Sequence, residues 1–383
     1  MHIAIFTGTR ADWGLLKPLA DALRAAGCRV SVIACNMHLD PTLGDTLSEI
    51  RADGYEPEAL IAPGCDTAST LGATAAEGAR ALRRLRPEAA IILGDRYEML
   101  GAASAALLSA VPLVHIAGGT VSEGAIDNSI RNAISQLATL HLCETPACAD
   151  RLRSMGLPPE AIVTTGAIGV HNFLHGETMP QAELETSIDF PLDRHTILAT
   201  LHAATLDTTS PQQQMRLFTE ALADAMHADC QLRVLATYPN NDVDPAPQIA
   251  LLEELAARFP ERVRVIPSLG RVRYLSTLRC VGAVAGNSSS GLVEVPSTGI
   301  PTLDIGSRQR GREHGPSVFH CAHTREEILR GLRYVLSPEA QAVAARRENP
   351  YARPDTLHLM TEAILSLSPK NEDTHSHPGP RRL

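Results

Sequence analysis

Apolar and polar positions along this chain recur in two different periods. His2 to Thr7 is a nearly continuous apolar run that stops at Gly8-Thr9-Arg10, and behind it Trp13, Leu15, Leu16, Leu19, Ala20 and Leu23 recur at helical spacing. The pattern predicts a strand, a glycine turn and a helix, the first unit of a parallel sheet. The alternation repeats. It predicts strands over Arg29 to Ala34, Ala89 to Leu93 and Leu113 to Ile116, and helices over Thr70 to Leu85, Arg96 to Ala110 and Ser129 to Leu140. A second series starts near residue 195, with strands predicted over His195 to Thr200, Leu232 to Thr237, Val263 to Ile266, Ala283 to Ala285 and Thr302 to Ile305. Its helices are predicted over Gln212 to His227, Gln248 to Phe259 and Ser290 to Thr298. Between the series, Gly169 to Leu192 reads as a polar connection broken by Gly176, Pro180 and Pro191.

Strands alternating with helices imply α/β architecture with ligands at the carboxyl ends of the strands. Two such halves, 1–170 and 193–350, leave a cleft between them suited to a nucleotide-bearing substrate. Residues 351–367 are expected to form a terminal helix crossing back to the first half. The Pro- and charge-rich residues 368–383 read as a disordered tail. A length of 383 residues fits two domains. Aromatics are only 3% of the chain, so the core must be built from Ala, Leu, Val and Ile.

Charge and cysteine usage narrow the function. The 43 acidic and 34 basic side chains leave a formal charge of −9 with no strongly basic stretch, which disfavours nucleic acid or an anionic membrane as partner. The eight cysteines form no C-x-x-C pair and no spacing with histidine that would hold a metal, so reduced, buried thiols are expected. The N-terminus turns polar after six residues, and no apolar run reaches the roughly 18 residues of a membrane span. A cytoplasmic protein is the expectation.

Four segments place polar residues directly after predicted strands. Gly8-Thr9-Arg10 could let the backbone approach an anion while Arg10 grips a diphosphate; the alternative is a tight turn with a surface arginine. In Gly94-Asp95-Arg96-Tyr97-Glu98, Asp95 is either a helix cap or a general acid or base at the mouth of the sheet, and Arg96 and Glu98 could form an ion pair. The loop from His115 to Asn128 adds Glu123 and Asp127. Carboxylates crowded round one pocket have their proton affinities pushed apart, which separates an acid from a base; alternatively Asp127 or Asn128 caps the next helix. Gly286-Asn287-Ser288-Ser289-Ser290-Gly291 offers hydroxyls and backbone N–H groups for a phosphate but lacks the lysine of a P-loop. His202 follows another strand.

The motifs FTGTRADWG, NMHLD, LGDRYE, HIAGG followed by SEGAIDNSIRNAI, TYPN and GNSSSGLVEVPSTGIPTLDIGSRQRGRE resemble the UDP-N-acetylglucosamine 2-epimerase family over roughly residues 1 to 367. SEGAID resembles its hydrolysing branch, which makes N-acetylmannosamine for sialic-type acids. The resemblance implies two Rossmann-like domains with a cleft between them, as in glycosyltransferase-B folds. It implies that Arg10, Ser288, Ser289 and Ser290 hold the diphosphate, Glu294 the ribose and Tyr274 the uracil face, with Asn240 and Arg308 completing the nucleotide site. His202 would reach the diphosphate or leaving oxygen. Asp95 and Asp127 match the acid/base carboxylates, with Glu123, Arg96 and His38 near the sugar.

The implied reaction releases UDP and an inverted free sugar through a glycal-like intermediate, with no metal or redox cofactor. Relatives also suggest a homo-oligomer, dimer or tetramer. Three positions depart from the family pattern: Thr120 stands where relatives commonly carry Glu, Ala117 where some have Glu or His, and Asn132 where His is frequent. These changes point to an alternative substrate, a UDP- or GDP-linked 2,4-diacetamido-2,4,6-trideoxy sugar of the legionaminic acid route. A glycosyltransferase and a non-catalytic nucleotide-sugar-binding regulator are the other readings. The clustered Asp95, Glu123 and Asp127 speak against both.

Overall fold

The computed structural model describes residues 1–39, 46–121, 126–204, 207–239 and 245–367. Among these residues the chain builds two parallel sheets. The first contains β1 (His2–Thr7), β2 (Arg29–Cys35), β3 (Ala59–Ile61), β4 (Ala89–Leu93), β5 (Leu113–Ile116), β6 (Leu140–Cys143) and β7 (Ile162–Thr164). The second contains β8 (Thr196–Thr200), β9 (Arg233–Thr237), β10 (Val263–Ile266), β11 (Ala283–Gly286), β12 (Thr302–Ile305) and β13 (Val318–Cys321). Their orders are β3-β2-β1-β4-β5-β6-β7 and β10-β9-β8-β11-β12-β13, and every pairing is parallel. Both are doubly wound. The order reverses between β1 and β4 in one and between β8 and β11 in the other, and such switch points open the crevice in which ligands bind.

The apolar runs are continuous because helices cover both faces of each sheet. In β1, Ile3 and Ile5 join the core around Leu16, Leu19 and Val114, while Ala4 and Phe6 join the opposite core around Leu82, Ala102 and Ile134. Met360 and Ile364, on the terminal Thr356–Leu365 helix, pack in the same core as Trp13 and Leu16.

Several predicted elements need correction. Gly169 to Leu192 is not an irregular connection: it folds into helices Ile168–His175 and Gln181–Ile188. Val170 and Phe173, and then Leu184 and Ile188, lie three or four residues apart and are buried. The helix expected to end at Leu140 stops at Leu137, and the next apolar run is β6. Ser290 to Thr298 is one α-turn, Ser290–Val293, followed by a 3₁₀ turn, Val295–Thr298. Pro296 has no N–H to continue the α-helical ladder. Residues 368–383, with Glu123 and Asn240, lie outside the described residues.

Candidate active site

Candidate residues gather at the carboxyl ends of the strands beside the two switch points. After β1, Thr9 caps the Arg10–Ala25 helix by accepting from the Asp12 N–H. Gly8 packs on a buried carboxylate: a Cβ there would lie 2.5 Å from Glu98 Oε1. Arg10 is exposed, pairs with Glu49 at 3.0 Å and reaches the other half, where a Cβ on Gly270 would meet its Nη2 at 3.2 Å. It therefore stands at the cleft with its guanidinium accessible.

After β4, Gly94 adopts φ +75° and Asp95 follows. Asp95 is not the helix cap; the cap position belongs to Arg96, which makes no side-chain capping bond. Instead Asp95 forms a short ion pair with the buried guanidinium of Arg131, whose Nη1 also donates to the Thr120 carbonyl at 2.7 Å. Arg131 sits on the Asp127–Leu137 helix, four residues after Asp127 and on the same face. Asp127 is the first residue of that helix rather than its cap, one turn before the guanidinium-bearing Arg131. Arg131 belongs to the quoted SIRNAI motif yet was not among the expected site residues. The signal was its place on the apolar face of an amphipathic helix, where a charge requires a partner.

Arg96 forms the ion pair with Glu98 that the sequence left open, Nε to Oε1 at 2.7 Å, and Glu98 is fully buried. Near them, burial pushes the Asp12 carboxyl up to about 6, against the pull of Arg96. His38 is buried, with its ring nitrogens bonded to Thr7 and Thr46 hydroxyls at 2.9 and 3.0 Å. Burial lowers its pKa to about 4. Both nitrogens being occupied by protein, His38 supports the wall of the site rather than presenting a free imidazole.

On the facing edge, the loops after β8, β11 and β12 are tied together by Asn287, which is almost wholly buried. Its Oδ1 accepts from the His202 N–H at 2.7 Å and its Nδ2 donates to the His202 carbonyl at 2.9 Å. Its own carbonyl accepts from Gln309 at 2.9 Å and from Arg308 at 3.4 Å. The side chain thus sets the height of His202 and the backbone sets Arg308. Asn287 was read from sequence only as part of a phosphate loop, and its hub role depends on three segments far apart in the chain.

Ser288, Ser289 and Ser290 are partly exposed at the head of the short helix. The Tyr274 hydroxyl is hydrogen-bonded to Ser290 Oγ, which places Tyr274 against the serine loop, and burial with the nearby Glu294 charge holds its phenol protonated. Glu294 lies against Gly169, where a Cβ would be 2.2 Å from its Oε1. Among the described residues its Oε2 is buried without a hydrogen-bond partner, and burial raises the carboxyl pKa. Such an oxygen can accept from a ligand hydroxyl.

A cavity of about 900 Å³ opens between the halves, lined by Thr120, Val121 and Arg151 on one side and Arg312, His314 and Tyr351 on the other. It adjoins the Asp95–Arg131–Thr120 cluster rather than the serine loop. Among the described residues no group of three or more His, Cys, Asp or Glu side chains could hold a metal ion, and no helix is long and apolar enough to cross a membrane.

Comparison with known proteins identifies the fold and the family. A sequence model of the UDP-N-acetylglucosamine 2-epimerase family matches residues 21–365. The chain is 30% identical over 316 residues to the GDP/UDP-N,N'-diacetylbacillosamine 2-epimerase (hydrolyzing) of Campylobacter jejuni, covering 81% of each chain. It is also 30% identical over 344 residues to the UDP-N,N'-diacetylbacillosamine 2-epimerase (hydrolyzing) of Legionella pneumophila, covering 88% of this chain and 89% of that one. The crystal structure of Neisseria meningitidis UDP-GlcNAc 2-epimerase bound to UDP-GlcNAc superposes with a TM-score of 0.80 at 16% identity, covering 96% of this chain and all of the other. That likeness establishes the fold, two Rossmann-type halves in the glycosyltransferase-B-like arrangement. With its motifs, its topology and its matched length in accord, the chain belongs to the UDP-N-acetylglucosamine 2-epimerase family.

Proposed function

We propose that this protein is a hydrolysing 2-epimerase of a UDP-linked 2-acetamido sugar, converting UDP-N-acetylglucosamine to N-acetylmannosamine and UDP. The observation that carries the reading is the meeting of two unlike edges. The first sheet delivers Asp95, with Asp127 one helical turn from its partner Arg131. The second delivers the serine loop, His202 and Arg308 around Asn287.

In the first step the C2 proton leaves to a carboxylate, its electron pair forms the C1–C2 double bond, and the C1–O bond breaks with UDP taking those electrons. The charge that develops on the leaving phosphate is stabilised by Arg10, His202 and the serine hydroxyls. Water then adds at C1, and a proton returns to C2 from the other face. Moving protons on and off a weakly acidic carbon requires positioned carboxylates on both sides, the work assigned to Asp95 and Asp127 with Glu123. Glu294 binds the ribose diol through its unpartnered oxygen.

A second reading keeps the reaction and changes the sugar to N,N'-diacetylbacillosamine carried by UDP. It is favoured by the Campylobacter and Legionella relatives and by the apolar Ala117 and uncharged Thr120 at the loop. Incubation with each donor, followed by proton NMR for UDP and free sugar, decides between them. The preferred donor yields the 2-inverted free sugar, whereas UDP release only in the presence of an added acceptor contradicts both readings. Binding of both donors without turnover would make the protein a regulator.

A further inference from the structure

Thr120, which carries a hydroxyl where the family pattern commonly has a carboxylate, is not far from a carboxylate in space. Its Oγ1 donates to Glu144 Oε2 at 3.0 Å. Glu144 is the first residue after β6, β6 pairs with β5, and β5 pairs with β4. Three adjacent strand ends therefore bring Asp95, the Thr120 loop and Glu144 to one edge of the sheet, the edge at which doubly wound folds hold ligands.

The local fold makes no other demand on Glu144. The following helix, Pro146–Ser154, is capped by Thr145, which accepts from the Cys148 N–H. Glu144 is half-buried, and its Oε1 makes no hydrogen bond among the described residues. Thr120 and Cys148 line the cavity between the halves. Glu144 also lies near enough to Glu294, and to Tyr351 on the cavity wall, for its charge to favour their protonated forms.

We propose that Glu144 supplies, from the neighbouring strand, the carboxylate missing at position 120, and that its open oxygen takes the C2 proton of the sugar. In that step the C–H electron pair becomes the C1–C2 double bond, the C1–O bond breaks, UDP departs with the bonding pair, and the proton stays on Glu144 Oε1 until exchanged with water. Asp95, held by the Arg131 guanidinium, is then left to return a proton to C2 from the other face. Thr120 holds Glu144 through its hydroxyl and Arg131 through its carbonyl, so a single residue fixes the separation of the two carboxylates. This inference rests on the proposed epimerase reaction.

The test uses the full chain with Glu144→Gln, Glu144→Ala and the double variant Thr120→Glu/Glu144→Ala, reading UDP release from both donors and UDP affinity by calorimetry. Glu144→Gln is expected to lower kcat by about 100-fold or more, the usual range for losing a proton-transfer group, with UDP affinity unchanged. The double variant is expected to regain at least about tenfold over Glu144→Ala, a part of that same contribution. Wild-type rates in Glu144→Gln, a loss matched by weakened UDP binding, or no recovery in the double variant would overturn the inference while leaving the epimerase reading intact. A wild-type protein that turns over neither donor would overturn both.

Discussion

The guanidinium of Arg131 closes on the carboxylate of Asp95, joining the helix after the β5 loop to the end of β4. Its side chain is 5% exposed and that of Asp95 19%, so the cation is shielded from water while the carboxylate keeps a partly exposed edge. A buried cation that lost its partner would be costly, and a carboxylate that lost the cation would be free to rotate.

Arg131→Met should therefore remove both the orientation of Asp95 and the anchor on the Thr120 carbonyl. Expected are a loss of about 2–4 kcal/mol in unfolding free energy, somewhat below the full cost of breaking a buried pair because Asp95 is partly solvated. Turnover should fall at least about 100-fold with UDP affinity retained. Urea unfolding, steady-state kinetics and calorimetry read the three quantities, and a variant with normal turnover would remove Arg131 from the site.

Asn287→Ala severs the two hydrogen bonds by which the buried Asn287 side chain holds the part-buried His202 backbone. UDP affinity should drop by about 1–3 kcal/mol, the range for two lost hydrogen bonds expressed through a displaced loop. Asn287→Asp should also weaken binding, since a carboxylate cannot donate to the His202 carbonyl. Calorimetric titration with UDP checks both variants.

Gly286 adopts φ +147°, and a Cβ there would lie 1.8 Å from the Thr200 carbonyl oxygen. β8 and β11 can approach at this switch point only without a side chain. Gly286→Ala is expected to cost about 4 kcal/mol or more, in the range reserved for severe backbone clashes, and to appear as loss of soluble protein or a lowered urea midpoint. Normal stability would show that the strand ends can separate.

Acid should destabilise the fold before it protonates most carboxylates. Burial holds His38 at about 4, His115 at about 3 and His141 at about 4, all below the ordinary 6.5. His115 is fixed as a neutral ring by the Gly94 carbonyl and the Ser135 hydroxyl. For these groups the unfolded chain binds more protons, so their stability is present above 6.5 and is lost as pH falls toward 4. Asp12, raised from 3.8 to about 6, acts oppositely: its contribution is present below 3.8 and lost as pH rises through about 6. Glu294, also raised by burial, acts in the same direction as Asp12, and the three histidines outweigh these two carboxyls. The urea midpoint should fall between pH 7 and pH 5, each net proton contributing up to about 1.4 kcal/mol per pH unit.

What could be read from sequence follows physical lines. HIAIFT and AAIIL announced their strands because sheets covered on both faces need unbroken apolar runs. LHLC did not, because its first residue reads as the end of the preceding helix, and VFHC went unread as a strand. The three-residue strands Ala59–Ile61 and Ile162–Thr164 are too short to show a period at all. The site divides in the same way. Arg10, Asp95, His202 and the serines follow strand ends and were visible from that position alone. Arg131, Asn287 and Glu144 act through partners 36, 85 and 24 residues away, distances over which only the folded sheet order brings side chains together.

The central claim, that carboxylates of the first half move a proton at C2 while the second half releases UDP, is tested most directly by running the reaction in deuterated water with proton NMR. With the preferred donor, the account predicts a free 2-inverted sugar carrying one deuterium at C2 and an equal amount of UDP, and neither from Asp95→Asn, which should still bind UDP. A released sugar that keeps its C2 proton, or unchanged turnover in Asp95→Asn, would contradict it.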